Sequence, residues 1–320
     1  MKAKDDQKLV AKKKISNLSQ YGIYLAFVAM VALFSLINPK FLAMGNLLNV
    51  IRQVSFNAII AMGMFMVILT GGIDLSVGSV VAIASVITAT FVKIGNFNLP
   101  VFVAILMGLA VGAVCGFFNG FFVTKGKLAP FIVTMISMTM ARGASQLYTE
   151  GRPISGLLES FTVIGTGYWL GIPIPIYILL GVTLLTYFIL NWTKLGRHIY
   201  AVGGNASAAE ASGISVNRTK MFVYIYSGCA SALVAVVMAA RLNSASPMMG
   251  DGYELDAIAA TVIGGTSMDG GKGKVFNVLV GALIIGTISN GLDIMNVSSY
   301  WQQIVKGCII LAAVLTDRKD

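Results

Sequence analysis

The sequence has little charge, little cysteine and almost no histidine. Of its 320 residues only 11% are Asp, Glu, Lys or Arg, whereas soluble domains contain about 25%. The three cysteines, Cys115, Cys229 and Cys308, lie in apolar stretches, and we interpret them as small core residues rather than disulfides or ligands. A single histidine, His198, cannot form a metal cluster alone, so we predict no metal site.

The sequence also lacks the motifs of an ATPase or a hydrolase. No Gly-x-x-x-x-Gly-Lys-Ser/Thr occurs, because Gly271-Lys272-Gly273-Lys274 has neither the hydroxyl after the lysine nor the glycine five positions earlier. One histidine on the predicted inner face gives no plausible Ser-His-Asp set. We therefore expect no cofactor in this chain and no enzymatic activity of its own.

Hydrophobic segments of about 20 residues recur along the whole chain, which is 57% hydrophobic. The predicted fold is an all-α polytopic membrane protein with about ten transmembrane helices, some broken at glycines, and a possible internal repeat. One transmembrane domain spans 18–316, between cytoplasmic tails at 1–17 and 317–320. The predicted spans are 21–37, 56–69, 80–92, 101–123, 129–147, 173–192, 221–240, 253–263, 275–291 and 300–315.

The positive charge indicates an orientation in the membrane. The net charge of +10 is not clustered on a polar face with interleaved aromatics, so it does not indicate nucleic-acid binding. If the N-terminus is cytoplasmic and the chain crosses ten times, 16 of the 23 Lys and Arg fall on the inner side. This asymmetry follows the positive-inside rule and places both termini in the cytoplasm.

A glycine-rich break with one carboxylate separates the second and third spans, at Leu69 to Ser79. Within a bilayer, unpaired backbone groups must be covered by protein or line a wet cavity, and an acid there usually faces a pathway or a partner. Broken hydrophobic pairs of this kind often lie at the working centre of a transporter. The residues alone also allow a tight turn at the membrane surface with Asp74 as a solvated helix cap.

A weaker copy of this pattern lies near the C-terminus. Asn57-Ala58-Ile59 leads to a glycine pair and an acid, and Asp256-Ala257-Ile258 leads to Gly264-Gly265 and then Asp269. Duplicated membrane repeats produce such echoes, and so does chance among glycine-rich turns. The candidate residues of a substrate pathway or gate are Asn57, Thr70, Gly71, Gly72, Asp74, Ser76, Gly264 and Gly265.

Two further stretches predict close contacts. Gly108, Gly112, Gly116 and Gly120 recur every four positions, which places them on one face of the fourth span and lets another helix approach closely. In the loop 194–220, Asn205 is a good N-cap, 206–212 is rich in helix formers, and Gly213 is a good C-terminal stop. This segment is either a docking element for a partner or an ordinary connecting helix.

The chain resembles the membrane permease of bacterial ribose-type ABC sugar importers, within the wider superfamily of branched-chain amino acid and sugar permeases. The resemblance covers nearly the whole chain, from Asn38 to Leu315. Its most specific pieces are Ile68 to Ser79, Gly203-Gly204-Asn205 with Ser212-Gly213-Ile214, Tyr253 to Gly265, Gly270-Gly271-Lys272-Gly273 and Val297-Ser298-Ser299-Tyr300.

This resemblance implies an importer of four parts in the inner membrane, surrounded by membrane lipids. The parts are the two permease copies of a homodimer, an ABC ATPase with two fused nucleotide-binding halves that binds the ATP, and a soluble periplasmic or lipid-anchored sugar-binding protein. The resemblance also implies that the cytoplasmic loop docks on the ATPase. The implied docking residues are Gly204, Asn205, Ala209, Glu210, Ala211, Ser212 and Gly213.

Alternatives remain open at this point. The cargo could be another sugar or a furanosyl signal, such as xylose, galactose or autoinducer-2, and the segment Pro247 to Asp251 differs from the small-residue version associated with ribose permeases. An ion-coupled secondary carrier would use intramembrane acids as relays, but charge within the predicted spans is scarce. A membrane-embedded enzyme would need a catalytic cluster that the sequence does not show.

Overall fold

A computed structural model describes residues 22–97 and 99–317. The predicted N-terminal tail, 1–17, and residues 318–320 of the predicted C-terminal tail lie outside the described residues. The helices are α1 (Gly22–Ile37), α2 (Met44–Leu69), α3 (Val77–Val92), α4 (Val101–Thr124), α5 (Pro130–Thr149), α6 (Glu159–Thr166), α7 (Ile174–Trp192), α8 (Lys194–Gly204), α9 (Ala206–Ala211), α10 (Val216–Leu242), α11 (Tyr253–Ile263), α12 (Val275–Ile294) and α13 (Ser299–Asp317).

Strands contribute very little to this part of the chain. Four two-residue strands form two antiparallel pairs, β1 (Ile154–Ser155) with β4 (Ser244–Ala245) and β2 (Tyr168–Trp169) with β3 (Ile172–Pro173). A 3₁₀ turn, Pro39–Leu42, joins α1 to α2. Five helices, α2, α4, α7, α10 and α12, are long and apolar enough to cross a membrane, and α1 and α3 are shorter apolar helices. The prediction of an all-α polytopic membrane protein is thereby confirmed, and the number of crossings stays a prediction.

Contacts between distant segments define two opposite ends of the helix bundle. At the strand end, β1 pairs with β4, and Lys93 forms a bridge with Leu157. At the other end, which we call the glycine-loop end, the C-terminus of α8 lies against the end of α2 and the loop 264–274. Successive long helices run between these two ends.

The second helix is the centre of the bundle. From Val54 to Leu69 every residue of α2 is buried, and the helix packs against α7, α10, α11 and α12. Its sequence is apolar on all sides over this stretch, which is the pattern expected of a helix surrounded by other helices. The predicted span 56–69 is therefore the buried half of a longer helix that begins at Met44.

The predicted small-residue face of α4 is confirmed, and it contacts α10. A Cβ atom added at Gly112 would lie only 2.5 Å from the Cβ of Ala232, and one at Gly116 would lie 2.7 Å from the Cα of Ile225. Such distances are too short for real side chains. Gly112, Gly116 and Gly120 let the backbones of α4 and α10 approach closely, whereas Gly108 lies against Thr88 of α3. Such close approach is how membrane helices gain packing energy without a hydrophobic driving force.

Two segments that the sequence analysis treated as loops contain helices. The connection 148–172 includes α6, whose Phe161 is fully buried, and the start of the loop 194–220 forms the amphipathic helix α8. Both are too short and too polar to register as membrane spans. Their apolar residues can be recognised as one face of a helix only when the helices that they pack against are known.

Two long helices are each followed by a break and then a helix that begins inside the bundle. After α2 comes the break 70–76 and then α3, and after α10 comes the segment 243–252 and then α11. The starts of α3 and α11 touch, because a Cβ atom on Gly250 would lie 2.7 Å from the carbonyl oxygen of Gly78. The two breaks therefore reach into the bundle from opposite ends and meet there.

Candidate functional site

The break after α2 is a tight turn whose amides fold back onto the helix end. The amides of Thr70 and Gly72 donate to the carbonyl of Val67, at 3.0 and 3.1 Å, and the Thr70 hydroxyl donates to the same oxygen at 2.9 Å. Gly71 has a φ of +70°, which favours glycine. A Cβ atom on Gly72 would lie 2.7 Å from the Tyr224 hydroxyl, so the turn packs directly against α10.

The Asp74 carboxylate accepts hydrogen bonds from within this break and from two helices, α4 and α10. Its Oδ1 accepts from the amide and hydroxyl of Ser76, at 3.0 and 2.6 Å, and from the Asn119 amide of α4 at 3.4 Å. Its Oδ2 accepts from the hydroxyl of Ser227 on α10, at 2.8 Å. Asn119 also donates to the Ser76 hydroxyl, at 2.8 Å. We call Asp74, Ser76, Asn119 and Ser227 the carboxylate cluster.

The burial of this cluster decides between the two interpretations of Asp74. The residue is only 1% exposed, and Ser76, Asn119 and Ser227 are fully buried. The interpretation as a solvated cap at the membrane surface is therefore wrong, because protein surrounds the carboxylate. Asp74 instead braces the broken helix, and each of its hydrogen bonds comes from a neutral donor.

The other predicted pathway residues fall into two groups. Gly264 and Gly265 lie at the glycine-loop end and line an open cavity of about 620 Å³, together with residues of α1 and α12. A Cβ atom on Gly264 would lie 2.9 Å from the Cα of Val278, so that glycine also permits close packing on α12. Asn57 lies farther along α2, toward the strand end, away from the break and the glycine pair.

Asn57 belongs to a polar cluster that the sequence analysis missed. Its amide donates to Oδ2 of Asp256 at 3.3 Å, and the Lys306 ammonium contacts the same oxygen at 2.9 Å. These residues come from α2, α11 and α13, which are distant in sequence. The available signal was a lysine and an aspartate, each inside an apolar helical segment, where a charge needs a partner.

The predicted docking helix is present with both of its predicted caps. Asn205 Oδ1 accepts from the amide of Ala208 at 2.9 Å, and α9 ends at Ala211. Gly213 has a φ of +82° and its amide donates to the Glu210 carbonyl at 2.9 Å. Among the predicted docking residues Ala209 is buried, and the following are exposed: Gly204, Asn205, Glu210, Ala211, Ser212 and Gly213.

A junction of glycines connects the docking segment to the end of α2. The amide of Gly271 donates to the carbonyl of Leu69 at 2.9 Å, and a Cβ atom on Gly203 would collide with that carbonyl. Tyr200 of α8 donates to the carbonyl of Gly273 at 3.0 Å. Burial raises the pKa of Tyr200, so its hydroxyl stays a neutral donor. The end of α8 therefore contacts both the end of α2 and the loop 264–274.

Comparison with known proteins gives matches over most of the chain. Residues 46–314 match the model of the branched-chain amino acid transport system / permease component family. A ribose import permease protein of Haemophilus influenzae is 49% identical over 298 residues, 92% of this chain and 91% of the relative. Those of Bacillus subtilis and Escherichia coli K12 are each 46% identical, covering 94% and 92% of both chains. No solved structure matches.

The carboxylate cluster generates a prediction for stability. Asp74→Ala leaves the buried hydroxyls of Ser76 and Ser227 without the acceptor they have in the wild type, which costs roughly 1–3 kcal/mol for each group. We expect the variant to insert in the membrane and to lose its fold at a lower temperature, measured by heating the detergent-solubilised protein. Asp269→Ala, which removes an exposed acid at the same end, is the control. Equal melting of Asp74→Ala and wild type would contradict the bracing role.

Proposed function

The chain belongs to the permease component family of branched-chain amino acid transport systems, and from this we propose that it is the membrane-spanning subunit of an ATP-driven importer of ribose. The observation that carries the proposal is the identity of 46–49% with ribose import permeases over more than nine-tenths of both chains. As a permease component it is a transport subunit, and a separate partner hydrolyses the ATP. The protein is a multi-pass protein of the inner membrane.

We propose that α9 is the contact through which the ATPase acts. It is a capped helix on the glycine-loop end, its outer residues are small, and its base is joined to α2 through the glycine junction. Small side chains allow the helix to enter a groove on a partner. Through the glycine junction, a partner bound there would be connected to the central helix α2. This arrangement supports docking better than an ordinary connection, which would need neither exposed small residues nor the junction.

We propose ten crossings, with both termini in the cytoplasm. The ten helices that would cross are α1 to α5, α7 and α10 to α13, and five of them are long and apolar enough to do so by length and composition. Of the ten, α11 has only 11 residues and reaches across with the help of the segment 243–252 before it. The members of the inner set of Lys and Arg that belong to the described residues then lie at the glycine-loop end, as the positive-inside rule requires. These are Lys125, Lys127, Lys194, Arg197, Arg218, Lys220, Lys272 and Lys274.

We further propose that two copies of the chain form the permease and that they work with an ATPase of two fused nucleotide-binding halves and a periplasmic sugar-binding protein. The resemblance of the sequence to ribose-type permeases supports this assembly. A periplasmic partner would meet the strand end, which carries β1 to β4 and α6, while the ATPase would meet α9 at the other end.

The test of the cargo is reconstitution of the complete importer. The chain is co-expressed with its ATPase and sugar-binding partners, and the complex is purified and placed in vesicles. We expect ATP-dependent uptake of labelled ribose that excess xylose or galactose does not reduce. Uptake that these sugars suppress, or ribose uptake driven by a proton or sodium gradient without ATP, would contradict the proposal.

The topology predicts where reporter proteins will be active. We expect a reporter fused after Lys127 to be cytoplasmic and one inserted at Gly156 to be periplasmic, because these residues lie at opposite ends of the bundle. Alkaline phosphatase and green fluorescent protein fusions distinguish the two compartments. Labelling of a cysteine at Ser207 by a membrane-impermeant reagent added outside intact cells would overturn the orientation.

The docking helix predicts that bulk is more damaging than loss of charge. Ala211→Trp places an indole on the exposed face of α9, and Gly213→Val forces a branched residue into a left-handed conformation, which costs roughly 1 kcal/mol or more. We expect both variants to reach the membrane but to lose the ATPase in pull-down and to stop transport.

Glu210→Gln is the matched control on the same helix. It removes an exposed charge, and an exposed ion pair is worth at most about 1 kcal/mol, so we expect the ATPase to be retained. If Ala211→Trp binds the ATPase and transports normally, the contact lies elsewhere on the glycine-loop end.

A further inference from the structure

Two ion pairs flank the start of α11 inside the bundle. Lys306 of α13 pairs with Asp256 at 2.9 Å, and Arg142 of α5 pairs with Asp251 at 3.9 Å. Arg142 also donates to the carbonyls of Pro247 and Met249, at 2.9 and 3.0 Å. The segment that leads into α11 is thus held from two sides by cations on neighbouring helices.

The position of these pairs along their helices places them well inside the bundle. Lys306 lies seven residues from the strand end of α13 (299 to 306), and Arg142 lies seven residues from the strand end of α5 (142 to 149). At 1.5 Å per residue, each cation is about 10 Å below that end. Both helices continue for more than ten residues toward the glycine-loop end.

The charge and exposure of these side chains together indicate what they face in the membrane. The side chain of Asp251 is 69% exposed in the single chain, and that of Lys306 is 24% exposed. A charged group at this depth is costly next to hydrocarbon and almost always faces water or protein. Asp251 and Lys306 therefore face a wet space within the assembled transporter.

A cavity of about 360 Å³ opens between the start of α11 and helix α13. Its polar lining comes from Asp251, Glu254 and Asp256 on one side and from Gln303 and Lys306 on the other. The volume lies within the range of about 300–1,000 Å³ that is typical of small-molecule sites. In contrast, the carboxylate cluster around Asp74 is enclosed by protein.

We propose that a small neutral molecule with several hydroxyl groups, a monosaccharide, contacts the permease in this cavity while the sugar crosses the membrane. This inference rests on the proposed function, and it adds where in the permease the sugar is contacted and by which residues. Carboxylates accept from sugar hydroxyls, while the ammonium and the amide donate to them, and each sugar hydroxyl can do both. Because both cations are already paired with carboxylates, no free positive charge remains for an anionic ligand, and the paired groups can still bond the hydroxyls of a neutral one.

The test separates a contact with sugar from a purely structural ion pair. Single neutralisation of Asp256 or Lys306 leaves a charge without its partner and can prevent folding. The double variant Asp256→Asn/Lys306→Met removes both charges and keeps similar volumes, which proteins often tolerate without loss of stability. Asp251→Asn removes the charge of the exposed carboxylate in the second ion pair, which Asp251 forms with Arg142. Asp293→Asn, an exposed acid at the strand end that accepts from Gln302 at 2.7 Å, is the control.

The readout is labelled ribose delivered per ATP hydrolysed, in vesicles with the complete importer and its sugar-binding protein. We expect this ratio to fall about tenfold in the double variant and in Asp251→Asn, which is the size expected for a lost hydrogen bond to a charged group. Asp293→Asn should keep the wild-type ratio. A wild-type ratio in both cavity variants, or an equal fall in Asp293→Asn, would overturn the inference while leaving the importer intact. If wild-type vesicles take up no ribose, the proposed function fails, and this inference fails with it.

Discussion

A helix that is interrupted within a membrane leaves polar groups that only other parts of the protein can satisfy, and the architecture of this chain follows from that constraint. The break after α2 is satisfied by the carboxylate of Asp74, which gathers donors from the start of α3, from α4 and from α10. The close contact of α4 with α10 through the glycine face is what brings Asn119 and Ser227 to the same carboxylate. The hydrogen bonds that satisfy the break therefore depend on the close packing of small residues between α4 and α10.

The features that could be predicted from the sequence are those set by neighbouring residues. The caps of α9 follow from Asn205 and Gly213, and the close face of α4 follows from glycines spaced by four. The partners of Asp74 could not be predicted, because Asn119 and Ser227 are 45 and 153 residues away from it. The pairing of Asp256 with Lys306 was missed for the same reason, since it depends on how α11 packs on α13. The close approach of the backbones at Gly78 and Gly250 is likewise a contact between distant segments. The internal repeat suggested by the sequence echo stays a prediction.

The glycine junction explains how two distant ends of the molecule can act on each other. Gly203 lies against the carbonyl of Leu69, which accepts from Gly271, so the docking segment, the central helix and the loop 264–274 share one point of contact. From Leu69 the α2 helix runs back to Asn57, whose amide contacts Asp256. A rigid, buried helix thus joins the surface proposed for the ATPase to the cavity proposed for the sugar.

The long sequence separations across these contacts also set an order of assembly. The partners of three early positions are synthesised much later. Gly271 bonds the carbonyl of Leu69, Ser227 bonds the carboxylate of Asp74, and Gly250 lies against the backbone at Gly78. While the ribosome is still making the second half, the break after α2 has Ser76 and Asn119 as partners but still lacks Ser227 and Gly271. Such an incomplete chain exposes unbonded polar groups within the bilayer, and it stays a target for membrane proteases and chaperones until α10 and the loop 264–274 have been inserted.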